Sequence, residues 1–160
     1  MLAASGIEWD EPQPGTFVAV LPGEHKLRTT VSLVVGRHSM TVNAFVVRHP
    51  DENRAEFFGW LLRQNAKHPG LAFGIDPLDD VYLVTRLPVD AVTDEALDAV
   101  LGQVLQTADG AFNALLELGF SSSIRREWRW RVSRGESLDN LRAFEHLVEP
   151  SDPGSEAEQP

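Results

Sequence analysis

The sequence contains no cysteine and no long apolar run, and its cations are scarce: 14 Lys and Arg stand against 24 Asp and Glu. Without cysteine there is no disulfide staple, no thiol nucleophile and no thiolate zinc site. Nothing approaches the roughly 20 apolar residues that span a bilayer, and Met1–Asp10 is too weakly apolar for an export signal. No membrane partner is therefore expected, and a cytoplasmic location is the default. The net charge of −10 argues against nucleic acid as a partner, because neutralising phosphates takes a basic face. Gly23, Gly36, Gly59, Gly70, Gly102 and Gly119 are isolated, in neither a P-loop nor a dinucleotide fingerprint, and no cofactor is expected.

What is present is ordinary for one globular domain: 160 residues, 17.7 kDa, 42% hydrophobic and 24% charged. Pro12, Pro14 and Gly15 break any early helix. Three β-rich stretches follow, Thr16–Leu21, Leu27–Val35 and Met40–Arg48, with alternating apolar positions and short turns at Pro22-Gly23 and Gly36–Ser39. They predict an antiparallel meander. Asp51 then stands as an N-cap for a helix carrying Phe57, Trp60 and Leu61 and ending near Asn65. Leu71–Ile75 and Asp80–Leu87 predict two further strands around an Asp76–Asp79 turn.

Thr93 caps the strongest helix, with Asp94 and Glu95 at its positive end and a stripe from Leu97 to Leu116. Gly119-Phe120 reads as its C-terminal cap, and Gly110 as a place for a kink. Ser121–Ser123 cap a segment from Ile124 to about Val132, and Leu138–Leu147 forms a last short helix. The order β-β-β-α-β-β-α-α segregates strands from helices, an α+β fold. The expected organisation is a lead-in at 1–15, one domain at 16–148, and an acidic tail at 149–160. Glu149, Asp152, Glu156 and Glu158 give that tail −4, and without large apolar residues it is expected to be disordered.

No catalytic constellation assembles. His25, His38, His49, His68 and His146 lack paired metal-ligand spacing and read mostly as turn residues. Ser121–Ser123, Asp139 and His146 supply hydrolase residue types, but no nucleophile elbow frames a serine. Asp76, Asp79 and Asp80 cluster at a hairpin tip without calcium-loop spacing, so no metal site is expected. The most unusual stretch is Ile124–Arg134, five arginines around Trp128 and Trp130 in an acidic protein. Three readings stay open: half-buried tryptophans with arginines paired to the protein's own carboxylates, a protein contact patch, or a nucleic-acid surface, which the global charge disfavours.

Lys26–Asn53, Phe73–Pro88 and Thr107–Arg131 resemble the YbjN family, bacterial sensory-transduction-regulator-like proteins, in its actinobacterial form. The resemblance covers about residues 7 to 147 and rests on long collinear strings rather than a catalytic motif. It implies a fold similar to the type III secretion chaperones, a twisted antiparallel sheet flanked by helices, often dimeric, that binds polypeptide without turnover. No catalytic residues come with it. Family members usually open with a helix, of which Leu2–Gly6 resembles the last turn, so either a shortened helix or an upstream start is expected.

The expectation is therefore a non-enzymatic protein- or peptide-binding module, a cytoplasmic homodimer, with Arg125, Arg126, Trp128 and Trp130 as its partner contact. A small-ligand-sensing regulator is the alternative, and a hydrolase a further one.

Overall fold

The structure, a computed structural model, describes residues 2–148. The acidic tail at 149–160 lies outside the described residues. Backbone contacts divide the chain into two compact units, Met1–Gly119 and Phe120–Pro160.

The first unit is built on a six-stranded antiparallel sheet of order β1-β2-β3-β4-β6-β5. Its strands are β1 (Glu8–Gln13), β2 (Thr16–Pro22), β3 (Arg28–Val35), β4 (Ser39–Val47), β5 (Ala72–Ile75) and β6 (Val81–Pro88). Alternation sorts their side chains. Ala19, Val31, Ala44 and Leu83 lie side by side across four strands and are buried, as are Leu33 and Val42 in the next row. On the opposite face Val18, Ser32, Asn43 and Val84 form a row, and both Val34 and Val84 remain exposed there.

The three-strand meander expected from alternation is present, but another strand precedes it. β1 falls in the stretch read above as a lead-in. All six of its positions are exposed and it contains Pro12, so no local periodicity marks it. It exists because β2 supplies its hydrogen-bond partners, across a hairpin that turns at Gly15 (φ 79°). Before it, Leu2–Ala4 make a single 3₁₀ turn with Leu2 buried.

Helix α1 (Arg54–Asn65) buries Phe57 and Leu61. Its N-terminus is not capped by Asp51 as expected. Asn53 occupies the cap position in a left-handed conformation (φ 52°), and its side chain donates to the Leu118 carbonyl instead. The backbone amides of Asp51 and Glu52 donate to the Gly119 carbonyl. Gly119 is needed for its size: a Cβ there would come within 2.9 Å of both the Phe57 ring and Pro50.

Helix α2 (Asp94–Arg134) starts as expected, with the Ala96 amide donating to Thr93 Oγ1. Its unit-one portion buries Leu97, Leu101, Val104, Ala108 and Leu115. The break lies not at Gly110 but at Phe120, within the Gly119-Phe120 pair read as a cap, where φ −138° and ψ 17° leave the helical region.

The second unit begins there. Ser121–Ser123, expected as caps, lie inside the helical stretch. It ends at Arg134 with Gly135 at φ 66° and the Glu136 amide donating to the Arg131 carbonyl. That six-to-one closure is the Schellman arrangement. Ser137 Oγ then accepts the Asp139 amide, and Asp139–Leu147 coil as 3₁₀ turns with Phe144 buried.

Candidate functional site

Two surfaces carry unusual chemistry, one on each unit. The first is an apolar cleft of about 370 Å³ lined by Leu2, Trp9, Phe17, Val35, Val92 and Leu97, among others. Register explains its walls. Trp9 pairs with Ala19, Phe17 with Leu33 and Val35 with Met40, so all these side chains point to the helix-bearing side of the sheet. Leu33 and Met40 are buried, but Trp9 stays 41% and Val35 44% exposed. The Trp9 and Phe17 rings lie 6.1 Å apart at 51°. Among the described residues, no titratable side chain lines the cleft. Such a surface takes up apolar groups and offers nothing to activate a bond. The sequence reading passed over Trp9 because β1 was invisible. The available signal was a lone tryptophan between Glu8 and Asp10, just ahead of a Pro-Gly turn.

The second surface is the helical stretch singled out above, and the structure separates its four predicted contact residues. Arg125 Nε donates to the Leu147 carbonyl at 2.8 Å, so that guanidinium fastens the 3₁₀ segment to the helix. Trp128 is half-buried on the side of buried Ile124, one turn away. Arg126 and Trp130 lie on the outward side, Trp130 45% exposed with the Arg134 guanidinium 5.4 Å from its ring centroid. Arg129 is exposed beside them. Arg131 turns the other way and pairs with Glu127 at 2.7 Å. Among the described residues no carboxylate pairs with Arg126, Arg129 or Arg134. The expectation that the arginines pair with the protein's own carboxylates thus holds for Arg131 but not for this outward stripe.

The remaining candidates have structural occupations. Asp76 Oδ1 accepts the Leu78 and Asp80 amides, Asp79 pairs with Arg54, and Asp80 accepts both the amide and Nδ1 of His49. Those bonds from His49, the backbone one foremost, hold the Asp80 carboxyl below its usual range. Among the described residues, no group of three or more His, Asp and Glu is arranged to hold a metal ion. Asp139 accepts the Ser137 hydroxyl and pairs with Arg142, and Ser123 Oγ accepts from Arg126. Asp109 Oδ1 accepts the His25 and Lys26 amides, a tie between α2 and the β2–β3 turn that sequence reasoning missed. The Lys26 ammonium sits 5.5 Å from the Phe45 ring centroid and 5.2 Å from that of Phe112, and burial lowers its pKa.

Sequence and structure comparisons agree with this architecture. The uncharacterised protein Rv0487 of Mycobacterium tuberculosis is 53% identical over 140 residues, covering 85% of this chain and 76% of the relative. Uncharacterised protein ML2442 of Mycobacterium leprae is 47% identical over 138 residues, covering 86% and 75%. Among solved structures, the heterodimeric ExoU–SpcU complex of the Pseudomonas aeruginosa type III secretion system contains a chain that superposes with a TM-score of 0.55. The identity is 13%, with 74% of this chain and 94% of that chain covered. The fold is therefore type III secretion chaperone-like, α+β as expected. The profile of the YbjN family, described as a bacterial sensory transduction regulator, matches residues 1–117, and the chain belongs to that family.

Proposed function

We propose that this YbjN-family chain is a non-enzymatic regulatory module that binds a protein or peptide, acting as a cytoplasmic homodimer. The observation that carries the reading is the apolar cleft beneath Trp9 and Val35, which exposes large side chains without any titratable group among them. A groove of that kind accepts the apolar side chains of a segment and has no group to carry out chemistry on it. The family's description is that of a regulator, and the ExoU–SpcU structure is by its description a complex of two different proteins. The exposed valines on the opposite sheet face favour a second copy as a neighbour. No helix among the described residues is long and apolar enough to cross a membrane.

Of the predicted contact residues, Arg125, Arg126 and Trp130 are exposed and Trp128 is half-buried; Arg125 is already engaged by the Leu147 carbonyl, which leaves Arg126 and Trp130 to meet a partner directly. The test is a photo-cross-linking residue at Val35, in the cleft, compared with one at Thr30 on the other sheet face. A polypeptide adduct at Val35 that is absent at Thr30 supports the reading. Equal adducts at both positions, or none at Val35, rule it out. Native mass spectrometry of the purified chain decides the dimer.

The cleft volume also favours a second reading, a sensor of a small apolar ligand, since about 300 Å³ is enough for such molecules. Reproducible thermal stabilisation by a small apolar compound, lost in Phe17→Ser, would select it.

A further inference from the structure

Gly110 is a residue that the fold does not require. It lies inside helix α2, where glycine is the poorest helix former after proline. The helix runs through it unbroken, its φ is not positive, and nothing lies within 4 Å of where its Cβ would stand. Neither backbone conformation nor crowding therefore selects glycine here. What the missing side chain does is leave room. Gly110 lines a cavity of about 230 Å³ between α1, β5 and α2, with Trp60, Gln64, His68, Gln106 and Thr107 on its walls.

Those walls combine one flat apolar surface with polar groups that lack partners. The Trp60 ring is backed by Phe73, with centroids 6.3 Å apart and planes tilted by 55°. Phe73 is pinned to α1 in turn, since Asn65 Nδ2 donates to its carbonyl and Asn65 Oδ1 accepts its amide. Around the indole stand the carboxamides of Gln64 and Gln106, the His68 imidazole and the Thr107 hydroxyl. None of these four side chains has a hydrogen-bond partner among the described residues. Thr107 is only 8% exposed, so its hydroxyl is a buried group that needs one. Among the described residues no carboxylate, ammonium or guanidinium lines the cavity. Water satisfies such polar groups but gains nothing from the indole face.

Size narrows the occupant. A cavity of about 150 Å³ holds one benzene ring, whereas drug-sized ligands take about 300 Å³ or more. This cavity falls between the two, at the size of a pair of fused rings. We infer that it binds an uncharged, planar nitrogen heterocycle of purine size. The ring stacks on Trp60, and the paired donor and acceptor of the Gln64 and Gln106 carboxamides read its edge. The cavity shares no residue with the cleft at Trp9, so this inference and the reading of that cleft fail independently.

The test titrates the full-length, isotope-labelled chain with adenine and with hypoxanthine, following the tryptophan indole N–H resonances. The Trp60 indole should shift saturably while the Trp9 indole stays in place. Gly110→Leu, which fills the space, should abolish that shift. Gly102→Leu is the control, because Gly102 is an exposed glycine of the same helix whose Cβ position is equally open. It should bind purine as wild type does, and thermal melts of both variants establish that they are folded. If Gly110→Leu does not fold, Gly110→Ala takes its place and should weaken binding. Gln64→Ala and Gln106→Ala should each weaken it by about threefold to tenfold. Quinoline, two fused rings with one acceptor and no donor, should bind more weakly than adenine. Adenosine monophosphate should also bind more weakly, since its phosphate meets no cation in the cavity. The absence of a saturable Trp60 shift with both purines overturns the inference, and so does a shift that survives in the folded Gly110 variant. Quinoline binding as tightly as adenine makes the cavity a plain apolar slot and overturns it too. Adenosine monophosphate binding as tightly as adenine overturns the choice of an uncharged ligand.

Discussion

Trp9 and Trp130 expose almost the same fraction of their surface, 41% and 45%, yet they face opposite physical worlds. Trp9 has the Phe17 ring beside it and forms one wall of a cleft with no titratable lining among the described residues. Trp130 has a guanidinium over its ring and arginines on either side along the helix. Exposure alone would rank the two as equivalent contact residues. Their neighbours separate them: binding at Trp9 scales with apolar area and hardly responds to salt, whereas binding at Trp130 depends on charge and is screened.

The largest expected effect tests whether the cleft is a surface or a flaw in the core. Leu33 is its floor and only 2% exposed, so Leu33→Ala should cost about 2–5 kcal/mol by denaturant unfolding. Trp9 and Val35 at the rim cost far less. A floor substitution as mild as a rim one would mean that the cleft is loosely packed rather than formed. Next comes Arg125, which belongs to the stripe's sequence but not to its function. Removing its charged donor from the Leu147 carbonyl should cost about 1.5 kcal/mol, read as faster hydrogen exchange in Asp139–Leu147 with the sheet amides unchanged. Arg126→Ala, one residue away, should leave that exchange as it is.

The third prediction divides the two tryptophans by salt. Trp9→Ala should weaken capture of an apolar peptide equally at low and high ionic strength. Trp130→Ala should weaken capture of an acidic peptide at low ionic strength only, as measured by titration calorimetry. Identical salt responses would erase the distinction drawn above. The smallest effect involves neither surface. Asp80 has a folded pKa below its ordinary value near 3.8 because His49 donates to it. Its stabilising contribution is therefore complete above that unfolded value and is lost as pH falls through the lower folded one. Between about pH 4 and pH 2, where unperturbed carboxylates titrate, the melting temperature of wild type should fall more steeply than that of Asp80→Asn.

The two surfaces were legible in the sequence to very different degrees. Strands with one buried face announce themselves, and Thr16–Pro22, Arg28–Val35 and Ser39–Val47 begin and end within about two residues of where alternation put them. β1 could not be read this way. Its pattern of acids, Trp9 and Pro12 has no apolar period, and it is a strand only by virtue of β2. The cleft was lost with it, since Trp9 then belonged to no element. The stripe had the opposite fate. Its composition was conspicuous, but which residues face outward is a matter of helical phase and of where the helix breaks. The break at Phe120 coincides with the Gly119-Phe120 pair read as a cap, and beyond it Trp128 is half-buried whereas Arg125, Arg126 and Trp130 are exposed.

The edge of the sheet carries a final consequence. β1 presents Glu8, Asp10 and Glu11 and includes a proline that lacks an amide hydrogen. Under the proposed role, a visiting segment therefore gains little by adding itself as a seventh strand there, and must bring side chains to the cleft rather than a backbone ladder to the rim. Recognition of that sort has no register to enforce. In a random peptide library it should enrich one large apolar residue at a free position, with no every-second-residue pattern around it. Ligands chosen that way are related by a single anchor instead of a shared motif, so searching for clients by sequence alignment would miss most of them.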